Sequence, residues 1–323
     1  MKYIKFFILF GLLASFSANA LLEVNIIKSK EDSFPIVIAP FEMIGNFKED
    51  SDIAKIIRKN LNMSGQFDAK STNQLTTGPI DFDFYLKHKK DAIVLGKIRQ
   101  ISSNVNHAEI YIYDVLTQKP LYRNKIAFTN GALRKTAHAL SDVIYYALLG
   151  QKGSFNTKLS FVTVNEEKNG KRKYRLVISD WDGKNQQVII GSDDPILSPA
   201  WSADQRKIAY VSFKNNRSDV FVKYVFQNTN PIKLPKFDGI ASSPTWHPDG
   251  KSLALTLSKD GNKDIYLYNF DSKKLKRLTT NIAIDTEANF SPDGKSIAFT
   301  SNRTGQVQIY IKNLKSGKIS RAT

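Results

Sequence analysis

The chain has 323 residues and a mass of 36.4 kDa, with 47 Lys+Arg against 30 Asp+Glu, a formal net charge of +17 and no cysteine. Without thiols there is no residue for a disulfide, a thiolate metal site or a lipid thioether. The length suffices for two domains, each with its own core.

In chain order, Lys2 and Lys5 precede an apolar run over 6–16, followed by Ser17-Ala18-Asn19-Ala20. This pattern predicts a secretory signal peptide over residues 1–20, cleaved after Ala20, and hence an exported protein. The apolar run is too short for a spanning helix, which needs about 20 residues. Next, Leu22-Glu23-Val24-Asn25-Ile26-Ile27 has the alternation of a strand that could add to a partner's sheet, with a polar tether over 28–33. An edge strand of the first domain is the competing interpretation.

Pro35 to Phe41 is a predicted buried strand, and Asp50-Ser51-Asp52 is expected to cap a helix with Ile53, Ile56, Ile57 and Leu61 on one face. That helix ends at Asn62 to Phe67. Lys90 to Ile98 leads into an alternating strand over Ala108 to Asp114. A final helix is expected from about 132 to 149, capped by Asn130, ended by Gly150, and striped by Leu133, Ala137, Leu140, Ile144 and Leu148.

The second half repeats. Trp201, Trp246 and Phe290 head three copies, each followed by a turn: Ser202-Ala203-Asp204-Gln205, His247-Pro248-Asp249-Gly250 and Ser291-Pro292-Asp293-Gly294. An apolar strand follows each turn, at Ile208–Ser212, Leu253–Leu257 and Ile297–Ser301. A third opens after Asp219, Asp264 or Gln308, and a polar fourth closes each unit near Ile232–Leu234, Leu275–Leu278 and Ile319–Ala322. An earlier copy without the heading aromatic supplies strands near Leu159–Thr163, Arg175–Ile178 and Gln187–Ile190. Four antiparallel strands per repeat of roughly 45 residues is the pattern of a WD40-like propeller blade. One such sheet cannot bury both faces, whereas stacked sheets can. A solenoid is the alternative, disfavoured by the polar outer strands and Asp-Gly turns.

Catalytic patterns fail on inspection. Gly250-Lys251-Ser252 and Gly294-Lys295-Ser296 lack the earlier glycine of a phosphate loop, and no G-x-S-x-G elbow occurs. His88, His107, His138 and His247 are scattered; His107 and Glu109 lack the cysteines of a zinc deaminase. His138 and His247 are expected to be surface or hydrogen-bonding residues. Asp180-Trp181-Asp182-Gly183 lacks the later glutamate of a calcium loop and is expected to be a tight connection. No catalytic, cofactor or metal residue is assigned.

The order of a P-I-x-I-x-P-F strand, an L-x-x-S-G-x-F helix exit, a D-A-I-V-x-G strand, a helix running into Gly153 to Lys158, and the junctions Ser179 to Gly183 and Pro195 to Ser202 resembles the TolB family of the Tol-Pal envelope system. The resemblance implies an α/β N-terminal domain over 34–150, then an all-β propeller over 151–323 with four of an expected six blades, and a periplasmic, non-catalytic scaffold. It implies two partners: the lipoprotein Pal, at the propeller mouth, and the C-terminal domain of TolA, on an N-terminal strand. By matching motifs, the Pal-facing positions are Asp194, Ile196, Ile240, Ser243, Thr286 and Glu287, and the TolA-facing ones are Leu22, Glu23, Val24, Asn25, Ile26 and Ile27. Such a protein supports outer-membrane integrity and constriction at cell division. The ring is expected not to close within these residues, as in a shortened product or fragment.

Two rival functions remain. A propeller of this kind could gate an envelope hydrolase on another chain. The charge, +3 over 21–150 against +12 over 151–323, would also suit a module binding peptidoglycan or lipid phosphates. Most of these lysines fall in turns and outer strands, where charge blocks edge pairing, and export argues against nucleic acid.

Overall fold

The computed structural model describes residues 33–47, 52–73, 78–214 and 217–323. The cleavage site at Ala20, the candidate pairing strand over 22–27, and Asp50 and Ser51 lie outside the described residues.

The first unit contains β1 (Phe34–Ile38), β2 (Glu42–Ile44), α1 (Ile53–Met63), β3 (Phe67–Ser71), α2 (Phe82–Lys87), β4 (Ala92–Gln100), β5 (Val105–Asp114) and β6 (Pro120–Thr129). The helix α3 (Leu133–Leu149) follows. The sheet runs β3-β1-β4-β5-β6, with β2 also paired to β4. Strand β1 is parallel to both β3 and β4, and parallel neighbours need a crossover, which α1 supplies between β1 and β3. Asp52 makes the α1 cap contact, its Oδ1 accepting from Lys55 N at 2.9 Å. Ile53, Ile57 and Leu61 are buried from α1, as the stripe predicts, while Ile56 is half-buried. Strands β4 and β5 continue the sheet antiparallel over nine paired positions.

Two expectations for the final helix need refinement. Its stripe is buried at Leu133, Ala137, Leu140 and Ile144 but only partly at Leu148. Asn130 has another task than capping: its Oδ1 accepts from Asn106 Nδ2 at 2.8 Å and its Nδ2 donates to Ser103 O at 2.8 Å. By compactness the chain divides into two units between Ala137 and His138, within α3. Asp142 accepts from Phe155 N at 2.7 Å and Asn156 N at 3.0 Å, fastening the later turns of α3 to the chain that follows. Burial raises the Asp142 pKa, and these two N–H groups offset part of that rise.

The second unit begins with a three-stranded sheet, β7 (Lys158–Glu166), β8 (Arg172–Asp180) and β9 (Gln187–Ser192). Three four-stranded antiparallel sheets follow. The first is β10 (Ile196–Trp201), β11 (Lys207–Ser212), β12 (Asp219–Tyr224) and β13 (Ile232–Lys233). The second is β14 (Ala241–Trp246), β15 (Ser252–Leu257), β16 (Asp264–Asn269) and β17 (Leu275–Arg277). The third is β18 (Asp285–Phe290), β19 (Ser296–Thr304), β20 (Gln306–Asn313) and β21 (Ile319–Arg321).

Neighbouring sheets share cores. Leu176 and Ile178 of β8 pack with Ile196, Ile208 and Tyr210. Val211 and Val222 pack with Leu253, Leu255 and Tyr266, and Ala254 and Ile265 pack with Ile297 and Phe299. Strand β15 is therefore buried at all six positions, which explains the unbroken apolar run Leu253-Ala254-Leu255 at its centre in place of strict alternation. The heading aromatics occupy equivalent places, Trp201 opposite Ile208, Trp246 opposite Leu253 and Phe290 opposite Ile297. Their burial is unequal: Trp246 is buried, whereas Trp201 and Phe290 are only half-buried.

Candidate partner-binding site

The three innermost strands, β10, β14 and β18, share one irregularity. Their pairing with the next strand slips between Leu197 and Ala200, between Ser242 and Thr245, and between Thr286 and Asn289. At the same place in each, a non-glycine residue is left-handed: Ser198 at φ 51°, Ser243 at φ 47° and Glu287 at φ 56°. A bulge bends its strand and re-aims the side chains beside it, and such backbone strain persists where the surroundings hold it. The bulges line one cavity of about 380 Å³ together with Pro199, Pro244, Thr245 and Asn289. Among the described residues its one ionisable lining residue is Glu287.

The structure brings together two of the six positions expected at the mouth, Ser243 and Glu287. Thr286 adjoins them, but its Oγ1 is engaged with Thr300 Oγ1 at 2.8 Å. Ile240 stands at the sheet end nearby, 55% exposed, its N–H bonded to Ser258 Oγ at 2.8 Å. Asp194 sits in the turn before β10, its N–H donated to Ser192 Oγ at 2.9 Å. Ile196 is fully buried in the core shared with β8, so its side chain is not displayed.

Sequence reasoning missed Ser198 and Ile284. Both were readable by spacing: Ser198, Ser243 and Glu287 each stand three residues before a heading aromatic, and Ile240 and Ile284 each stand six before. Ile284 is 46% exposed and Ile282 is 99% exposed, so apolar side chains rim the sheets where β14 and β18 begin. A bulky apolar residue left that exposed marks a contact surface when neighbours share it.

One cluster has metal-ligand composition: His138, Asp180 and Asp182 can bring ligand atoms within 4.8 Å of one another. Its bonding fits a network better than an ion. Trp181 Nε1 donates to His138 Nδ1 at 3.3 Å, which leaves the proton of a neutral ring on Nε2, 3.7 Å from Asp180 Oδ2. Lys158 Nζ lies 2.6 Å from Asp180 Oδ1, and Asn185 Nδ2 donates to Oδ2 at 2.8 Å. His138 thus has the hydrogen-bonding role expected of it. His247 does too, with Nε2 3.2 Å from Gly294 O and Nδ1 accepting from Asp249 N at 3.2 Å, which links two neighbouring sheets. Among the described residues no helix is long and apolar enough to cross a membrane.

The TolB beta propeller domain profile matches residues 145–323 and the TolB amino-terminal domain profile matches residues 22–121. The Tol-Pal system protein TolB of Ruthia magnifica subsp. Calyptogena magnifica is 53% identical over 264 residues, 82% of this chain and 62% of that protein. The protein of the same description from Vesicomyosocius okutanii subsp. Calyptogena okutanii is 52% identical over 253 residues, 78% of this chain and 60% of the relative. The crystal structure of TolB from Acinetobacter baumannii matches with a TM-score of 0.78 at 34% identity, covering 90% of this chain and 71% of that one. The matched part of the chain thus spans about three fifths of the length of these two relatives.

Proposed function

Because the chain belongs to the TolB family, we propose that it is a non-catalytic periplasmic scaffold of the Tol-Pal system, holding Pal at the bulged mouth of the propeller and TolA on residues 22–27. The observation that carries the first half is the set of three equivalent left-handed bulges at Ser198, Ser243 and Glu287 lining one cavity. Each bulge breaks the ladder between the innermost strand and its neighbour, which frees backbone groups for a partner. The exposed Ile240, Ile282 and Ile284 supply apolar anchors beside those polar groups, the usual make-up of a contact whose energy is concentrated in a few residues.

The second half rests on the alternation of residues 22–27 and the polar tether after them. An extended segment of this type binds by adding a strand to a partner's sheet, with main-chain hydrogen bonds giving affinity. Export, the two contacts and a role in outer-membrane integrity and cell constriction form one reading.

Titration separates the two contacts. Glu287→Lys combined with Ile284→Asp should weaken Pal binding at least tenfold and leave TolA binding unchanged. Removing residues 22–33 should abolish TolA binding and leave Pal binding intact. Equal loss of both partners on that removal would make the segment structural, and unchanged Pal binding in the double variant would take the mouth out of the reading.

A further inference from the structure

The first unit holds a second cavity, of about 330 Å³, lined by none of the residues assigned above to the propeller mouth. Its floor is a row across three strands: Gln100 of β4 opposite Asn106 of β5, and Asn106 opposite Phe128 of β6. Residues directly opposite in an antiparallel pair share a face, so the two amides and the ring stand side by side. The far wall is Asn46 and Phe47, carried over the end of β4 by Gly45. That glycine has φ +131°, and a Cβ on it would lie 2.5 Å from Gln100 Cβ, so only glycine lets the chain pass this close.

Four side-chain amides line this space, and among the described residues no ionisable one takes part, in a chain of net charge +17. They are ordered by one another: Asn106 Nδ2 donates to Asn130 Oδ1 at 2.8 Å, Asn130 Nδ2 donates to Ser103 O at 2.8 Å, and Asn46 N donates to Gln100 Oε1 at 3.0 Å. Asn106 is 1% exposed, yet its Oδ1 has no partner among the described residues. A buried acceptor without a donor is costly and calls for a ligand or a water.

We propose that this cavity binds a single neutral sugar ring. Amides present adjacent donors and acceptors that match vicinal hydroxyls, and the Phe47 and Phe128 rings offer an apolar wall for the C–H face of the ring. An amino acid, nucleotide or phosphorylated ligand would require a counter-charge, and none stands among the described lining residues. The volume stands at the small end of ligand sites, which suits a single ring.

The test uses the full 323-residue chain and N-acetylglucosamine, followed by saturation-transfer NMR and titration. A roughly millimolar Kd is expected for so small a ligand. Asn46→Ala, at an exposed position that leaves folding undisturbed, and Asn106→Ser should each weaken binding at least tenfold, while glucuronate and leucine should not bind. Chitotetraose binding as well as the monosaccharide would assign the site to the end of a glycan chain; loss of binding with the longer probe would assign it to a free sugar. No saturation transfer at tens of millimolar, binding that survives Asn46→Ala, or equal binding of glucuronate would overturn the proposal.

Discussion

The three heading aromatics show how one repeat position acquires different energies. Trp246 stacks on Phe270 with ring centroids 5.3 Å apart, lies under Lys207 Nζ at 4.6 Å, and donates Nε1–H to Ala200 O of the preceding sheet at 3.1 Å. Trp201 has the same register, but the sheet before it has three strands, and its buried Nε1 finds no acceptor among the described residues. Trp246→Ala should therefore cost about 3–5 kcal/mol through lost burial and a cavity. Trp246→Phe should cost about 1 kcal/mol beyond the change in packing, the net worth of one hydrogen bond, whereas Trp201→Phe should be neutral or stabilising because it removes an unsatisfied donor. Urea unfolding of the three variants checks the order. A Trp201→Phe variant as destabilised as Trp246→Phe would contradict it. The repeat position of these residues was legible in their spacing; their partners, which come from another sheet, were not.

At the scale of the element, the turn after each heading aromatic repeats its hydrogen bonds closely. Gln205, Gly250 and Gly294 donate N–H to the carbonyls of Ser202, His247 and Ser291, each at 2.9 Å. All three donors are left-handed, at φ 57°, 68° and 68°, so Gln205 bears a strain that its glycine counterparts avoid. Gln205→Gly should raise stability by up to about 1 kcal/mol, since relief of 1–2 kcal/mol is partly offset by the greater chain entropy of glycine when unfolded. Gly294→Ala should be the worst of the alanine replacements in these turns, because its Cβ would lie 2.7 Å from His247 Nε2 while nothing approaches Gly250. Thermal unfolding of both variants decides these signs.

The turn aspartates give the same elements a pH dependence. The Ser202 hydroxyl, with Arg206 N, holds Asp204 below its ordinary pKa, and the Ser291 hydroxyl, with Lys295 N, does so for Asp293. Burial pushes Asp249 upward, but Lys251 N, His247 and Ser252 N outweigh it and the net shift is again downward. A carboxyl whose folded pKa is depressed contributes stability above its unfolded value, near 3.8, and loses it as pH falls through the folded value. Replacing all three by Asn should flatten the decline in melting temperature below about pH 4 and leave a lower plateau at neutral pH. A decline of unchanged steepness would place the acid sensitivity elsewhere.

On the scale of the whole molecule, burial falls off at the two ends of the row of sheets. Strand β20 shows Val307 at 69%, Ile309 at 42% and Ile311 at 40% exposed along one face, and β7 shows Leu159 at 44% and Val164 at 53%. The β20 set forms one contiguous apolar strand face, and a face of this kind promotes association between copies, whereas Leu159 and Val164 stand on opposite faces of β7. Sedimentation of the 323-residue chain should show concentration-dependent self-association, reduced by Val307→Lys with Ile309→Lys at little cost to melting temperature. A monomer at all concentrations would show that these faces are benign.

Much of this organisation could be read without coordinates. The repeat, its turns and the strands after them follow from Pro, Asp and Gly at fixed offsets from Trp201, Trp246 and Phe290, because turn residues and apolar runs act through local backbone geometry. The apolar faces of α1 and α3 were legible for the same reason. Strands β2, β3 and β6 and the short α2 were not, since each is brief or only half-buried and carries no strong period. Which of the expected mouth residues face outward was likewise not local information: Ile196 is taken into a core by β8, while Ser243 and Glu287 are turned to one cavity by a slip in pairing. The row of Gln100, Asn106 and Phe128 joins residues from three strands, and Asn130 comes from a fourth segment. The sequence by itself determined the repeat, its turns and its helices, whose causes lie within a few residues; register, bulges and shared cores decided the two cavities, because those depend on strands that meet only after folding.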